Sequence, residues 1–451
     1  MPLGDAPRMP RTEGSPDPDD LPLLGDTERG EPPLAPRGGW ITRSLVGILL
    51  ATFFSDVSHE MATAVLPMYV SSLGLARPAA ALGIIEGVAD LLVSLSKLAG
   101  GFVGHHVARK RPLAALGYLV TTLATASMGL ARGLVALVSL RTVAWSARGF
   151  RSPLRDFLLA DAVESTHFGR AYGLERAGDM LGAVTGPLIA LALLQGGLGF
   201  QKLLLITLVP GIGAAAALYL LVRERSTTTA TPLSHRQVEP AAAAHAPTNR
   251  LPRAFWLLLG GVVLFGLGDF SRTFLVLLID RAASPAGGVS AAEGAAAGIS
   301  AAQIAILLYA VHNLISAAAA YPVGHLGDRR SKVNLLIGGY CLGVATNLLF
   351  AVFYGSLAGL CVAVLLSGVY IAVEETLEKA VVAELLPREV RSLGFGVLAS
   401  ANAVGDMVSS LGVGLLIDAG RPGLAFSLAA IAGASGATWL IVLKLSGSWR
   451  A

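Results

Sequence analysis

Asp56, His59 and Glu60 sit near the middle of LLATFFSDVSHEMATAVLPMYV (Leu49 to Val70), a run otherwise apolar enough to cross a lipid bilayer. Carboxyl and imidazole groups bind and release protons, and carboxylates also hold cations. At the centre of a membrane-spanning helix a charge costs about 2.5–3.5 kcal/mol on insertion scales, so such groups face protein or a water-filled cavity. Asp56 and Glu60 are four apart and share one helix face. His59 points about 100° away from Glu60, where a lone histidine packs and hydrogen-bonds more often than it ligates.

More charges follow in later apolar runs. Glu86 and Asp90 repeat the spacing of four, and Lys97 returns to the same stripe eleven residues beyond Glu86. Arg141, Arg148 and Arg155 recur every seven residues, with Arg151 three beyond Arg148, and Glu175, Arg176 and Asp179 lie in the next run. Two readings stay open. In one, these charges form a neutral network that holds helices together. In the other, a mid-depth carboxylate takes up a proton in one conformation and loses it when its burial or a neighbouring cation changes.

Asp56, Glu60, Glu86, Asp90 and Asp179 are the proton-carrying candidates. Arg148 and Arg151 either pair with these acids or bind an anionic ligand through their planar donor forks. Lys97, Arg155 and Asp156 lie toward a helix end, where gate or helix-end salt bridges are expected. Asp269 with Arg272, and His312 with Asn313, are further ligand-facing candidates, and Glu374, Glu375 and Asp406 complete a sparser set. The later part of the chain is therefore expected to offer more of an apolar wall. Imidazole and carboxylate together suit divalent metals, but no spacing here resembles a dedicated metal site.

These residues need helices to position them. Of 451 residues, 54% are hydrophobic and only 14% charged, which excludes an ordinary soluble surface. Apolar runs of about 20 residues recur, each able to cross roughly 30 Å of hydrocarbon as a helix. Twelve spans are predicted, at 43–72, 78–104, 112–131, 134–162, 168–196, 200–222, 254–281, 301–325, 333–354, 356–386, 391–419 and 422–446. The fold class is an all-α polytopic membrane protein of twelve transmembrane helices. Residues 1–40 read as a disordered tail without a signal peptide, 41–223 as one six-helix bundle and 224–252 as a polar, Pro-containing linker. Residues 253–446 read as a second six-helix bundle and 447–451 as the C-terminal end, with Ala283 to Gly298 as an external loop.

Arg109-Lys110-Arg111, Arg223 with Arg225, and Arg329-Arg330 with Lys332 fall in alternate loops, while Arg77, Arg132 and Arg421 stand singly in others. The positive-inside rule puts the rich loops and both termini in the cytoplasm. Bases spread in this way argue against nucleic acid. Cys341 and Cys361 lie in predicted helices and give no disulfide framework. The chain has no Gly-rich phosphate loop ending in Gly-Lys-Ser/Thr, no Gly-x-Ser-x-Gly elbow and no His-Glu-x-x-His helix, so neither an enzyme nor a cofactor is expected.

One register relates the two parts of the chain. Gly101 and Gly324, Gly173 and Gly396, and Gly182 and Gly405 are each 223 positions apart, as are Ala160-Asp161 and Ala383-Glu384. At that offset Arg155-Asp156 meets Glu378-Lys379, the same charges in reversed order. Parallel repeats of this kind imply two halves about an axis along the membrane normal, with a path between them near the midplane.

GHLGDRRSK (Gly324 to Lys332) resembles the Gly-x-x-x-Asp-Arg loop motif of the major facilitator superfamily. The resemblance implies that Asp328, with Gly324 and Arg329, caps and pairs with neighbouring helix ends to latch the cytoplasmic side. The earlier copy, GFVGHHVARK (Gly101 to Lys110), has His105 where the acid stands and His106 in place of the arginine. LGAVTGPLIA (Leu181 to Ala190) resembles the superfamily's antiporter-associated Gly-x-x-x-Gly-Pro motif through Gly182, Gly186 and Pro187, although Ile189 and Ala190 replace its trailing glycines. Small residues four apart let helices approach closely, and the proline bends the helix. Arg141 resembles the superfamily's arginine linked to proton transfer in antiporters, with Trp145 where that motif carries Gly. Patches such as SDVSHEM, IIEGVAD and RGFRSPLRDFLLAD are similar to a group of bacterial members.

The resemblance implies a secondary transporter of the bacterial cytoplasmic membrane, acting as a monomer through rocking alternating access. Its expected partners are lipid, protons and a small molecule, which it would export in exchange for protons. Arg155, Asp156, Glu378 and Lys379 join the motif residues as gating candidates. Two other readings stand beside this one. One is a proton-coupled symporter importing an organic anion through Arg148 and Arg151, and the other a non-transporting sensor or assembly factor.

Overall fold

The computed structural model describes residues 39–73, 78–224, 250–270, 274, 278 and 301–447, without the side chains of 78–84, 86–91, 301–303, 305 and 306. In chain order the helices are α1 (Arg43–Ser72), α2 (Pro78–His106), α3 (Lys110–Ser127), α4 (Leu134–Ala162), α5 (Phe168–Gln195), α6 (Phe200–Ile206) and α7 (Leu208–Leu221). They continue as α8 (Arg253–Gly266), α9 (Ala301–Arg329), α10 (Lys332–Phe353), α11 (Leu357–Leu385), α12 (Arg388–Asp418) and α13 (Pro422–Leu445). Each predicted span carries at least one helix, and the described residues contain no strand. Among them, eight helical stretches are long and apolar enough to cross a membrane. At 29 residues α4 is also long enough, but four arginines and two aspartates dilute its apolar character.

Helix starts follow local chemistry. The Thr42 hydroxyl accepts the Leu45 N–H at 3.1 Å to cap α1, and it donates to the carbonyl of Ala162 at 3.0 Å. Ser331 caps α10 and Ser356 caps α11 in the same way. The backbone N–H of Lys110 donates to the Glu224 carboxylate at 2.6 Å, and that of Arg223 to the Ser44 hydroxyl at 2.9 Å. These bonds gather the start of α1 and α3 with the ends of α4 and α7 at one end of the bundle, the end rich in basic loops.

Two predicted spans are interrupted. The span 200–222 breaks at Thr207 into α6 and α7. Pro210 has no N–H for the carbonyl of Ile206, and the Ser58 hydroxyl donates to the carbonyl of Thr207 at 2.8 Å. The span 254–281 loses its helix after Gly266, where Gly268 and Asp269 donate back over three residues to Phe265 and Gly266. Gly268 lies too close to the backbone of Ala429 for any side chain, and the amide of Asn347 donates to its carbonyl at 2.9 Å. The weak helix former and the competing side-chain bond together end α8 at this point.

Between the helices before and after residues 224–252, the main contacts are α2 with α12 and α5 with α9. Glycine permits both. A Cβ on Gly101 would lie 2.6 Å from the Cα of Gly396, and one on Gly324 would overlap the carbonyl of Gly169. The repeated glycines of the sequence thus sit where helices touch backbone to backbone.

Candidate functional site

The Gly-x-x-x-Gly-Pro stretch fixes how α5 lies on α1. A Cβ at Gly182 would come 2.8 Å from the Cβ of Asp56, and one at Gly186 would come 2.8 Å from that of Glu60. Each glycine therefore seats one of the two acids against α5. Pro187 follows directly within the same helix.

Asp56 is 4% exposed and receives the Arg148 guanidinium of α4 at 2.6 Å. Its carboxyl also lies within hydrogen-bonding reach of the Asp179 side chain on α5. Arg176 pairs with Asp179 at 2.8 Å and with Glu375 of α11 at 2.6 Å. A chain of charged side chains, Arg148–Asp56–Asp179–Arg176–Glu375, thereby runs from α4 through α1 and α5 to α11. Arg151 donates to the Ser55 hydroxyl at 2.7 Å and lies 3.5 Å over the ring of Tyr118.

Glu60 is half-buried and 3.7 Å from the imidazole of His59. The His59 ring packs 4.1 Å from that of Trp145, which also carries the guanidinium of Arg141 at 3.6 Å. The tryptophan that replaces a motif glycine thus provides a ring for a fully buried arginine.

A second set of contacts lies toward the basic end. Arg155 joins Asp156 and Glu175 at 2.9 Å each, and Lys379 of α11 reaches the same Glu175 at 3.4 Å. The two charge pairs matched at the 223-residue offset therefore contribute their cations to one carboxylate. Beyond them, Asp328 at the end of α9 accepts the backbone N–H groups of Gly169 and Arg170 at 2.7 and 3.0 Å, and the Arg170 side chain at 3.0 Å. Its carboxylate occupies the positive first turn of α5, as the loop motif implies. Arg329 is exposed beside it.

In the other copy, His105 Nδ1 sits 2.9 Å from the carbonyl of Glu389 in α12. The ion pair across this junction comes instead from Arg388 and Asp161, joined at 2.6 and 3.1 Å.

The later helices gather acids. The Tyr340 hydroxyl donates to Glu378 at 2.5 Å, and the Asn402 amide donates to its other oxygen at 2.7 Å. Asp269, in the turn that ends α8, accepts the Tyr370 hydroxyl at 2.9 Å. Glu374, one turn before Glu378, is 6% exposed. The expected apolar wall is thus also a wall of carboxylates. His312 is fully buried against the Ser367 hydroxyl at 2.8 Å, and Asn313 beside it is buried too. The side chains of Glu86 and Asp90, and Arg272 altogether, lie outside the described residues.

The sequence reading singled out Glu378 for the gate but missed Glu374 as a site residue, and it did not foresee Arg176 and Arg388 crossing between the two sets of helices. A signal for the acids was present. At the 223-residue offset, Arg151 and Arg155 fall on Glu374 and Glu378, an inversion of charge at two successive positions of one face.

The sequence profile of the Major Facilitator Superfamily matches residues 48–305 and 273–451. An uncharacterised MFS-type transporter of Methanocaldococcus jannaschii is 25% identical over 366 residues, covering 81% of this chain and 86% of its own. The fold is similar to that of a bacterial homologue of the iron transporter ferroportin in an outward-facing state, with a TM-score of 0.66, 14% identity and coverage of 89% and 99% of the two chains. It is also similar to the human organic anion transporter MFSD10, with a TM-score of 0.64, 16% identity and coverage of 88% and 99%. The chain belongs to the Major Facilitator Superfamily, a family of membrane transporters.

Proposed function

We propose that this transporter is a proton-coupled antiporter that exports a small molecule by alternating access. The observation that carries this reading is the junction of Asp56, Asp179 and Arg148. Two neighbouring carboxyl groups make a site that one proton can bridge, and the adjacent guanidinium competes for the same oxygens. Arg176 connects that junction directly to Glu375 of α11, so a proton arriving at Asp56 or Asp179 alters a contact between the two sets of helices. Such a contact gives the ligand and the proton a shared two-position element.

In this reading, residues 41–223 and 253–446 are the two rocking bundles, and residues 224–252 link them. The basic end faces the cytoplasm of a bacterial cell. The contacts of Asp328, Arg388 and the paired glycines close that end. Arg148 and Arg151 are engaged by Asp56, Ser55 and Tyr118, which favours coupling over anion binding as their task.

The test uses oriented vesicles holding the purified protein. An inward proton gradient should drive a bound compound outward, and Asp56→Asn should abolish that movement while the protein still binds it. Gradient-driven import of the compound would replace this reading with symport. Unchanged exchange in Asp56→Asn would remove Asp56 from it.

A further inference from the structure

We propose that Trp40 is a clasp on the Asp328 latch, a positioning residue that holds the basic end closed by joining the chain entering α1 to α9 across the α5–α9 junction. The inference rests on the alternating-access part of the reading above and needs neither protons nor a direction of transport.

Composition groups Trp40 with the polar tail, yet its indole is half-buried and packs against the core. Four rings stand nearly parallel in a row: His167, Trp40, Tyr321 and His325. Their centroids are 5.6, 6.5 and 6.1 Å apart, and successive planes differ by no more than 16°. These are offset-stacking distances. His167 directly precedes α5, while Tyr321 and His325 lie one turn apart on α9, so the row crosses the junction between those two helices. It crosses where the backbones come nearest. Gly169 follows His167 by two residues and Gly324 follows Tyr321 by three, and a Cβ on either glycine would overlap the other's carbonyl.

The indole also faces the Arg170 guanidinium, which lies 5.2 Å from the ring centroid. A guanidinium over an indole is attracted by the electron-rich ring face. Arg170 is the same side chain that pairs with Asp328 at 3.0 Å. One arginine is thus held by both the indole and the carboxylate, and the motif acid meets a partner already in place.

Trp40 itself is fixed to the earlier helices. Two residues on, the Thr42 hydroxyl donates to the carbonyl of Ala162 at the end of α4, and Ser44 accepts the Arg223 N–H beyond α7. When α9 leaves α5 at this end, Trp40 keeps His167 and Arg170 and loses Tyr321. The stack with Tyr321 therefore belongs to the closed state alone. A stacked pair of rings supplies about a two- to tenfold bias toward closure.

The experiment follows an introduced cysteine at the other junction. Ser392 of α12 is fully buried against Gly104 of α2. In purified full-length protein with Cys341 and Cys361 replaced by alanine, Ser392→Cys should react with a water-soluble maleimide only while the basic end is open. Trp40→Ala should speed that reaction by about two- to tenfold, as should Tyr321→Leu, a change at a residue 36% exposed. Tyr321→Leu should add nothing once Trp40 is alanine, and Trp40→Phe should restore most of the slow rate. A local packing role for Trp40 would neither move a cysteine on α12 nor tie its effect to Tyr321.

Unchanged labelling in Trp40→Ala and Tyr321→Leu, or a Tyr321→Leu effect that persists undiminished beside Trp40→Ala, would overturn the clasp. Asp328→Asn separates the clasp from the reading beneath it. If that change speeds labelling while the two ring substitutions do not, alternating access at this end stands and the clasp falls. If none of the three speeds it, both fall.

Discussion

Asp56, Asp179 and Glu175 each meet a guanidinium, whereas the strongest charges acting on Glu374 are other carboxylates. Both regions bury acids inside helices of one bundle, and the chain repeats itself between them at a fixed offset. The difference lies in what a lost acid leaves behind. Near Asp56 it leaves a guanidinium without its directly bonded carboxylate. Near Glu374 it removes one charge from a crowd of the same sign. One region pairs its acids with guanidinium groups, and the other sets Glu374 among carboxylates.

Five substitutions sharpen or break this contrast. The largest effect is expected for Asp56→Asn, which takes from Arg148 its directly bonded carboxylate and should lower stability by about 1.5–3 kcal/mol. Glu374→Gln, the matching change in the other region, should leave stability unchanged or raise it. Thermal unfolding of the two proteins side by side checks the opposite signs, and a large loss in both would erase the contrast.

Next comes Asp328→Asn, which keeps an acceptor at the start of α5 but removes the ion pair with Arg170. A cost of about 1–2 kcal/mol to the closed basic end is expected. Cysteine labelling at that end should rise correspondingly. Glu375→Gln should cost about 1 kcal/mol, because Arg176 retains Asp179 while losing its reach across to α11. The smallest effect is expected for His105→Asp, which restores an acid near the first turn of α12 and should favour closure by a few tenths to about 1 kcal/mol, visible as reduced labelling.

How much of this was legible in the sequence depended on the range of the signal. Span positions followed from apolar runs, because burying a helix in lipid needs only local composition. The place of Asp328 followed from a loop motif whose geometry is confined to two helix ends. The breaks at Thr207 and after Gly266 were not legible. Each is set jointly by a local residue, Pro210 or Gly268, and by a distant side chain, Ser58 or Asn347, that takes up a freed carbonyl. The partners of Arg176 and Arg388 were hidden for the same reason, since contacts between α5 and α11 or between α4 and α12 join residues about 200 positions apart. Spacing placed Asp56 and Glu60 on one face, but only packing against Gly182 and Gly186 shows which one is held deep: Asp56 is buried while Glu60 is half-buried.

The glycine contacts between α2 and α12 and between α5 and α9 have a mechanical consequence. Where Gly101 meets Gly396 and Gly169 meets Gly324, main chain rests on main chain, and no side chain has to change rotamer for the surfaces to part. Helical backbones already satisfy their own hydrogen bonds, so separation there breaks the polar contacts at the margins, those of Asp328 with Gly169 and Arg170 and of Ser400 with the carbonyl of Ser94 among them. The attraction that remains is dispersion, which fades within about an ångström of opening. A joint of this kind behaves as a snap fastener. It is stiff when seated and nearly free once released.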